Sequence, residues 1–174
     1  MASLTDRLAD GENAAFVELF DLCGSRLLNF LQWKLLSQDD ARDVLQEVFL
    51  VLVRNRKRFR GVENPLAFAF QVARNESVRF IKHAIRSRDK VQLAAAEIFV
   101  ASEDCPNVAV ETAEWITNAL SQLDERQREV IVLKVYSGFG FREISQILHT
   151  PQGTVATRYR RGLEKLREII KVET

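Results

Sequence analysis

The sequence has little proline and glycine, with three and seven among its 174 residues. Long regular elements are therefore expected. Helices are favoured over strands, because Leu, Ala, Arg, Glu and Gln are abundant and runs that alternate apolar and polar residues are few. No apolar stretch reaches the length of a membrane span, and the N-terminus lacks the basic-then-apolar pattern of a signal peptide. These absences predict a helical protein that works in the cytoplasm.

Cysteine and histidine are also scarce. Cys23 and Cys105 lie far apart and have no CxxC spacing, and His83 and His149 add no metal-ligand pattern to them. We therefore expect ordinary thiols in a reducing compartment and no zinc site. The sequence also has no P-loop, no nucleophile–base arrangement and no glycine pattern for a cofactor. It predicts that the protein is not an enzyme and uses no cofactor.

The net charge of +1 hides an uneven distribution along the chain. Residues 1–50 carry four basic and nine acidic side chains, and residues 51–90 carry eleven basic and three acidic ones. Residues 91–130 are acidic again, with two basic and eight acidic side chains, whereas residues 131–174 carry eight and four. Two basic blocks separated by acidic ones indicate two places where a polyanion can bind.

Apolar residues recur at three- and four-residue steps in most of the chain, which predicts helices. The predicted helices cover residues 12–36, 38–53, 65–86, 112–122, 125–136, 141–148 and 151–170. The predicted caps and first-turn residues are Asp39 or Asp40, Pro65, Asp124 with Gln127, Gly138, Thr150 and Pro151.

Residues 87–110 break this pattern, since they are acidic, contain Pro106 and have poor periodicity. We interpret them as a flexible linker, with a short helix near residues 93–99. The predicted fold is therefore all-α, with two small helical domains at residues 1–86 and 111–174.

A short helix, a tight turn and a longer helix at the C-terminal end have helix-turn-helix spacing. The outer face of the last helix is small and polar at its start and rich in arginine one turn later; it contains Gly153, Thr154, Thr157, Arg160 and Arg161, with Arg158 at its flank. Small residues permit close approach to the major groove, and arginine can pair with guanine or grip phosphate. From periodicity alone, a bundle helix with a solvated basic face is the alternative.

Several motifs together resemble one family. The C-terminal half contains QREV (127–130), Gly138, REI (142–144) and GTV (153–155) followed by Arg158. The N-terminal half contains DDARDVLQEVFL (39–50), RFRG (58–61) and ARN (73–75). These resemble regions 4 and 2 of the extracytoplasmic-function (group IV) sigma factors of the main bacterial sigma family. The resemblance covers nearly the whole chain except the linker.

The resemblance implies a sigma factor that binds core RNA polymerase and recognises the −35 and −10 elements of promoter DNA, helping to melt the −10 DNA. The polymerase-facing positions it implies are Asp43, Gln46, Glu47 and Phe49. The −10 positions are Arg58, Phe59, Arg60, Asn64, Phe68, Arg74 and Asn75, and the −35 positions are those of the outer face of the last helix, including Arg158. It also implies an anti-sigma partner and a monomer in the free state.

The chain departs from the family pattern at four positions. Phe68 stands where tryptophan is usual, Ala156 where lysine or arginine is common, His149 where the turn usually has glycine, and Asp124 where proline is frequent. These departures leave the class intact and bear on which promoter sequence is read.

Alternatives remain at the level of residues and of function. Phe59 either offers a stacking face to a base or belongs to the core, and the acidic stretch at residues 39–47 either docks on polymerase or is a solvated helix start. The rival functions are a stand-alone helix-turn-helix regulator with an N-terminal sensor or dimerisation domain, and a helical protein-interaction module.

Overall fold

The computed structural model describes residues 3–35, 37–88 and 110–172, and every regular element in these ranges is helical. The chain divides into two units, Met1–Ile98 and Phe99–Thr174. The predicted all-α class with two helical units is confirmed. Most of the predicted linker and the whole short helix predicted near residues 93–99 lie outside the described residues, so the exact domain boundaries stay a prediction.

The first unit is built around three long helices. Its elements are α1 (Leu4–Asp10), α2 (Asn13–Leu35), α3 (Gln38–Arg54), a 3₁₀ turn (Arg56–Phe59) and α4 (Pro65–Arg88). The helices α2, α3 and α4 pack against one another, while α1 packs on α2 and on the 3₁₀ turn. Leu27, Leu31, Val48 and Leu52 are fully buried between them. The apolar stripes read from the sequence therefore form the core of this unit.

The start of α3 differs from the prediction. Ser37, rather than Asp39 or Asp40, is the capping residue, and its hydroxyl accepts a hydrogen bond from the Asp40 N–H at 3.3 Å. Both aspartates instead lie in the first helical turn. Negative charge is favourable there, because the backbone N–H groups of a helix start point toward it.

The second unit contains the helix-turn-helix. Its elements are α5 (Val110–Ser121), α6 (Glu125–Ile131), a π turn (Val132–Tyr136), α7 (Phe141–Leu148) and α8 (Gln152–Val172). The predicted helix over residues 125–136 is confirmed in its bounds, but its second half is a short π-helix, Val132–Tyr136, rather than α-helix. Gly138 follows with φ of 70°, the left-handed conformation predicted for it.

Two predicted caps in this unit have mixed outcomes. Asp124 caps α6 and accepts from the Arg126 N–H at 2.9 Å, but Gln127 does not complete a capping box, since its buried Oε1 has no hydrogen-bond partner among the described residues. Thr150 does not cap α8; its hydroxyl donates to the Leu148 carbonyl at 3.1 Å. The first turn of α8 closes on the carbonyl of Pro151 instead.

The structure also contains a helix that the sequence pattern did not predict. The helix α1 has only seven residues, with a capping box between Ser3 and Asp6 and a left-handed C-cap at Gly11. Among the helices that the structure describes, none is long and apolar enough to span a membrane.

Candidate nucleic-acid and polymerase interfaces

The outward face of α8 carries the residues predicted to bind DNA. Gly153, Thr154, Arg160 and Arg161 are exposed, and Thr157 and Arg158 are half-buried. The helix start is open, since no atom lies within 4 Å of the place where a Cβ on Gly153 would stand. Thr157 donates its hydroxyl to the Gly153 carbonyl at 2.9 Å, and Arg160 lies 3.9 Å from a carboxylate oxygen of Glu164. A small, polar start followed by guanidinium groups fits entry into a DNA groove.

The inward face of α8 fixes this helix against the rest of the unit. Val155 is fully buried, and the Tyr159 ring packs edge-on against Phe141 of α7, with 5.4 Å between ring centroids. A Cβ on Gly162 would lie 2.7 Å from Cδ1 of Ile131, so the end of the Ile131 side chain on α6 occupies the space that a larger residue would need. The predicted division of this helix into a packing face and an outer face is thus present.

The turn between α7 and α8 depends on a left-handed histidine. His149 has φ of 48° and ψ of 45°, and its N–H donates to the Ser145 carbonyl. The N–H of Thr150 donates to the same carbonyl at 3.1 Å. The turn between the two helices of the motif therefore takes only three residues, 149–151.

Residues 54–60, called the basic segment below, carry five cations in seven positions. Arg58 lies over the ring of Phe68, with 5.3 Å between its guanidinium carbon and the ring centroid. Arg60 donates to a carboxylate oxygen of Asp10 at 2.7 Å. Both arginines are exposed, as a phosphate-binding role requires.

The aromatic rings beside these arginines are part of the core. Phe59 has no exposed surface and packs edge-on against Phe68 at 5.1 Å and Phe16 at 6.3 Å between ring centroids. Phe68 is only 9% exposed. A ring without exposed surface cannot stack on a base in this conformation. Of the two alternatives for Phe59, this burial supports the core role.

Asn64 has a structural task at the start of α4. Its side-chain oxygen accepts from the N–H groups of Leu66 at 3.0 Å and Ala67 at 3.1 Å. It therefore caps the helix that begins at Pro65. This capping positions the loop after the basic segment and engages the acceptor that a base contact would use.

One face of α4 continues from the basic segment. Asn75 is exposed there and Arg74 is half-buried beside it. Further along, Arg79, Lys82 and Arg86 are also exposed. Steps of four, three and four residues from Asn75 put these three cations on its side of the helix. This spacing is visible in the sequence, although these three residues were not among the predicted site residues.

The four predicted polymerase positions share α3. Asp43 and Gln46 are exposed, whereas Glu47 and Phe49 are half-buried. Glu47 accepts from Arg54 at 3.5 Å. The Phe49 ring packs edge-on against Phe20 of α2, with 5.1 Å between ring centroids.

Exposed apolar residues lie on the same two helices and were not among the predicted site residues. Leu50 and Val53 of α3 are 49% and 43% exposed, and Val17 and Phe20 of α2 are 60% and 49% exposed. Leu50 and Val53 follow Asp43 and Gln46 by seven residues each, which is two helical turns. The signal available was the apolar run at residues 48–53, which is too wide for one buried stripe.

Comparison with known protein families decides the interpretation. The model of Sigma-70 region 2 matches residues 19–88, and that of Sigma-70, region 4 matches residues 113–166. The chain belongs to the sigma-70 family of RNA polymerase sigma factors, in its extracytoplasmic-function group. This sigma factor binds core RNA polymerase and directs promoter-specific initiation of transcription, as a regulatory subunit with a DNA-binding region 4.

Individual relatives match over nearly their whole length. RNA polymerase sigma factor CarQ of Myxococcus xanthus is 29% identical, with 95% of this chain and 94% of that protein aligned. ECF RNA polymerase sigma factor SigK of Mycobacterium tuberculosis is 27% identical, over 98% of this chain and 93% of that protein. The match of both halves removes the rival in which the N-terminal half is an unrelated sensor domain.

Solved structures are similar in fold. CnrH, solved in complex with the cytosolic domain of CnrY, superposes with a TM-score of 0.73 at 23% identity, covering 98% of this chain and 97% of that one. The sigma factor RpoE of Bartonella quintana, solved with the anti-sigma factor NepR, gives 0.71 at 25% identity over 91% and 98% of the two chains.

Proposed function

We propose that the outward face of α8 reads the −35 element, with Arg158 and Arg161 as the main donors to base edges or phosphates. The observation that carries this assignment is an exposed face, small at its start and cationic one turn later, on the second helix of a helix-turn-helix. Arginine pairs bidentately with guanine in the major groove. The open surroundings of Gly153 support close approach of the helix start to DNA.

The test begins by finding a promoter, through in vitro transcription with core polymerase on a genomic promoter library. Arg158→Ala and Arg161→Ala are then compared with wild type on matched and scrambled −35 elements at two salt concentrations. Loss of a base contact lowers binding to the matched element by about 1–3 kcal/mol. Loss of a phosphate contact weakens all sequences alike and reduces the salt slope.

The matched control is Arg167→Ala, which removes an exposed cation from the same helix about 21 Å beyond Gly153, at 1.5 Å per residue. It should keep its preference for the matched element. If Arg158→Ala and Arg161→Ala both keep full −35 affinity and full salt dependence, another face of this unit binds DNA.

For the −10 element, we propose that Arg58, Arg60, Arg74 and Asn75 hold the unpaired strand and help to melt it. Removing a base from the stack costs a few kcal/mol, which contacts to the exposed strand must offset. Phe59 and Phe68 support this surface from below, since Phe68 lies under the Arg58 guanidinium. Asn64 acts by fixing the loop through its cap.

For polymerase, we propose that Asp43, Gln46, Glu47 and Phe49 dock on the core enzyme together with the exposed Leu50. Apolar residues in the centre of an interface with a polar rim supply most of the binding energy in many complexes. Glu47→Lys should weaken core binding by charge reversal with unchanged helicity, and Leu50→Ala should weaken it by loss of apolar area. Glu168→Lys, the same reversal on an exposed residue of α8, should leave core affinity intact. Wild-type affinity in both Glu47→Lys and Leu50→Ala would contradict this docking face.

We also propose an anti-sigma partner, because the similar RpoE was solved bound to one. An inhibitor that covers the apolar surface of α2 and α3 would block polymerase docking. We further propose that the free protein is a monomer without catalytic activity of its own, and that it works in the cytoplasm, where polymerase and promoter meet. Transcription from a cognate promoter with core polymerase and this chain alone separates this function from that of a helix-turn-helix regulator.

A further inference from the structure

The short helix α1 lies directly against the basic segment. Leu8 and Ala9 of α1 are buried, and the helix packs on the 3₁₀ turn that contains Phe59. The side chain of Arg56 crosses Gly11, where a Cβ would stand 2.8 Å from the guanidinium Nε. Gly11 also has φ of 85°, so both the space and the backbone favour glycine. The end of α1 is therefore shaped around the cations of the basic segment.

Asp10 ends α1 with a charge that the helix itself disfavours. It is the last residue of the helix, where carbonyl groups point outward and a carboxylate is unfavourable. Its Oδ1 accepts from Nη2 of Arg60 at 2.7 Å. The charge of the Asp10 carboxylate is thus balanced by Arg60, which we have proposed to hold promoter DNA. Asp6 adds a second negative charge near Arg60. Hydrogen bonds from Ser3 lower the pKa of the Asp6 carboxyl and the charge of Arg60 lowers it further, so this carboxyl is held ionised.

The ion pair is exchangeable. The side chains of Arg60 and Asp10 are 71% and 65% exposed, so both are solvated and can separate without burying a charge. A surface pair of this kind contributes little to stability. A DNA phosphate can replace the carboxylate at Arg60, but it approaches against the negative charge that remains beside it.

We propose that Asp10 is a built-in competitor of the DNA phosphate at Arg60, which lowers the affinity of the free sigma factor for single-stranded DNA. The proposal rests on the proposed −10 role of the basic segment. A strand that meets several cations at once displaces the carboxylate, whereas an isolated phosphate does not. Asp10 thereby reduces binding to non-promoter strands more than binding to a fully engaged −10 strand.

The experiment measures binding of fluorescein-labelled dT12 to the full chain by anisotropy at several salt concentrations. Asp10→Asn removes the charge and keeps the shape of the side chain. Its affinity should rise about two- to fivefold at low salt, the range that release of an exposed ion pair allows. The dependence of log affinity on log salt should steepen, because strand binding to the wild type frees the Asp10 carboxylate to attract a cation, which cancels part of the counterion release, and the variant has no such carboxylate.

Two controls make the assignment specific. Asp21→Asn changes the net charge equally at an exposed position of α2 and should raise the affinity much less. In an Arg60→Ala background, Asp10→Asn should leave the affinity unchanged, because the cation that the carboxylate masks is absent. Circular dichroism and thermal unfolding check that each variant folds.

Unchanged or lower affinity in Asp10→Asn overturns the proposal, and lower affinity would mean that Asp10 orients Arg60 for DNA. A rise in affinity that survives in the Arg60→Ala background also overturns it, since the effect would be one of net charge. The proposed −10 role is judged separately, by whether Arg60→Ala alone weakens binding. If it does not, both the −10 role of Arg60 and the competition at Arg60 fail.

Discussion

At the scale of single residues, His149 holds a conformation that most side chains avoid. A residue other than glycine in the left-handed region costs about 1–2 kcal/mol, and glycine loses about 0.5–1 kcal/mol through its freer unfolded chain. His149→Gly should therefore stabilise the second unit by roughly 0.5–1 kcal/mol. Urea unfolding followed by Trp115 fluorescence, in a Trp33→Phe background, measures the change.

The comparison variant is His149→Ala, which keeps the left-handed strain and should show no such stabilisation. A His149→Gly protein no more stable than wild type would mean that interactions of the imidazole offset the strain. The turn itself could be predicted from the sequence, because the helix spacing places it. The sign of the stability effect could not, because it depends on contacts that only the fold creates.

Arg128 is a residue whose importance was not evident from the QREV motif. Its guanidinium donates to the carbonyls of Leu120 at 2.8 Å, Ser121 at 2.9 Å and Leu123 at 3.0 Å. The carbonyls of Leu120 and Ser121 belong to the last turn of α5, where carbonyls have no partners within the helix, and that of Leu123 lies in the turn that follows. Arg128→Ala should lower the free energy of unfolding of this unit by about 2–3 kcal/mol, the range for hydrogen bonds from a charged donor.

The control for this variant is Arg126→Ala, which removes an exposed arginine two residues earlier and should change stability by less than about 0.5 kcal/mol. Equal unfolding midpoints for the two variants would refute the capping role. From sequence, an arginine at this position reads as a surface cation, because the carbonyls that it meets belong to another helix.

The reactivity of the Cys23 thiol tests whether it is buried in the core of the first unit. Burial raises the pKa of its thiol to about 12, while the charge of Arg26 lowers it, and the thiol donates to the Leu19 carbonyl at 3.0 Å. In a Cys105→Ser chain at pH 8, iodoacetamide should modify Cys23 about a hundredfold more slowly in the native state than in urea. Comparable rates would place the thiol at the surface.

The raised pKa of Cys23 also makes stability depend on pH. Because the pKa of the thiol is higher in the folded than in the unfolded chain, its contribution to the free energy of unfolding is complete below pH 9 and is lost as the pH rises toward 12. A Cys23→Ala chain should lose less of its stability than wild type over that interval.

At the scale of elements, one face of α4 carries both the proposed −10 residues and a further row of exposed cations. Arg79, Lys82 and Arg86 extend the exposed cations of the helix to about 27 Å beyond Phe68, at 1.5 Å per residue. We expect the triple alanine variant at these positions to weaken promoter binding without changing which −10 sequence is preferred, because phosphate contacts carry no sequence information.

The measurement is the salt slope of promoter affinity, which should fall by about 0.9 for each duplex phosphate that the variant no longer neutralises. Arg167→Ala on α8 serves again as the control for loss of an exposed cation. An unchanged slope in the triple variant would remove this face from the DNA interface.

The longer elements could be predicted because their apolar spacing is regular. Predicted residues 38–53 and 141–148 agree closely with Gln38–Arg54 and Phe141–Leu148. The helix α1 was missed because seven residues are too few for a periodic signal, and its stability comes from packing on the 3₁₀ turn. The π turn after Ile131 was missed because its residues are ordinary helix residues and the widening arises from the tertiary fit.

Regular apolar spacing also allowed part of the candidate site to be predicted. The outward face of α8 follows from helical projection, and the structure exposes it. The burial of the Phe59 side chain could not be predicted from the sequence, because it depends on Phe16 and Phe68, which approach Phe59 only in the folded unit. Asn64 was similarly ambiguous, since an amide before a proline suits both a cap and a base contact.

At the scale of the whole molecule, the sequence predicts that residues 87–110 connect two independent domains. Limited proteolysis of the full chain should therefore cut first within that range and leave two helical fragments. Mass spectrometry of the fragments identifies the cut sites. Uniform resistance across residues 87–110, with first cuts elsewhere, would argue for one fused domain.

The close approach at Gly162 makes this protein a starting point for engineered promoter specificity. A Cβ at that position would lie 2.7 Å from Cδ1 of Ile131. A larger residue must therefore displace the end of the Ile131 side chain or α8 itself, and a shift of α8 would carry with it the helix start that we propose to face DNA. Substitutions at Gly162, beginning with alanine as the smallest, therefore offer the engineer of orthogonal gene circuits a way to change promoter preference without changing any residue of the outward face of α8. Libraries that vary only the arginines of that face would not change how α8 packs.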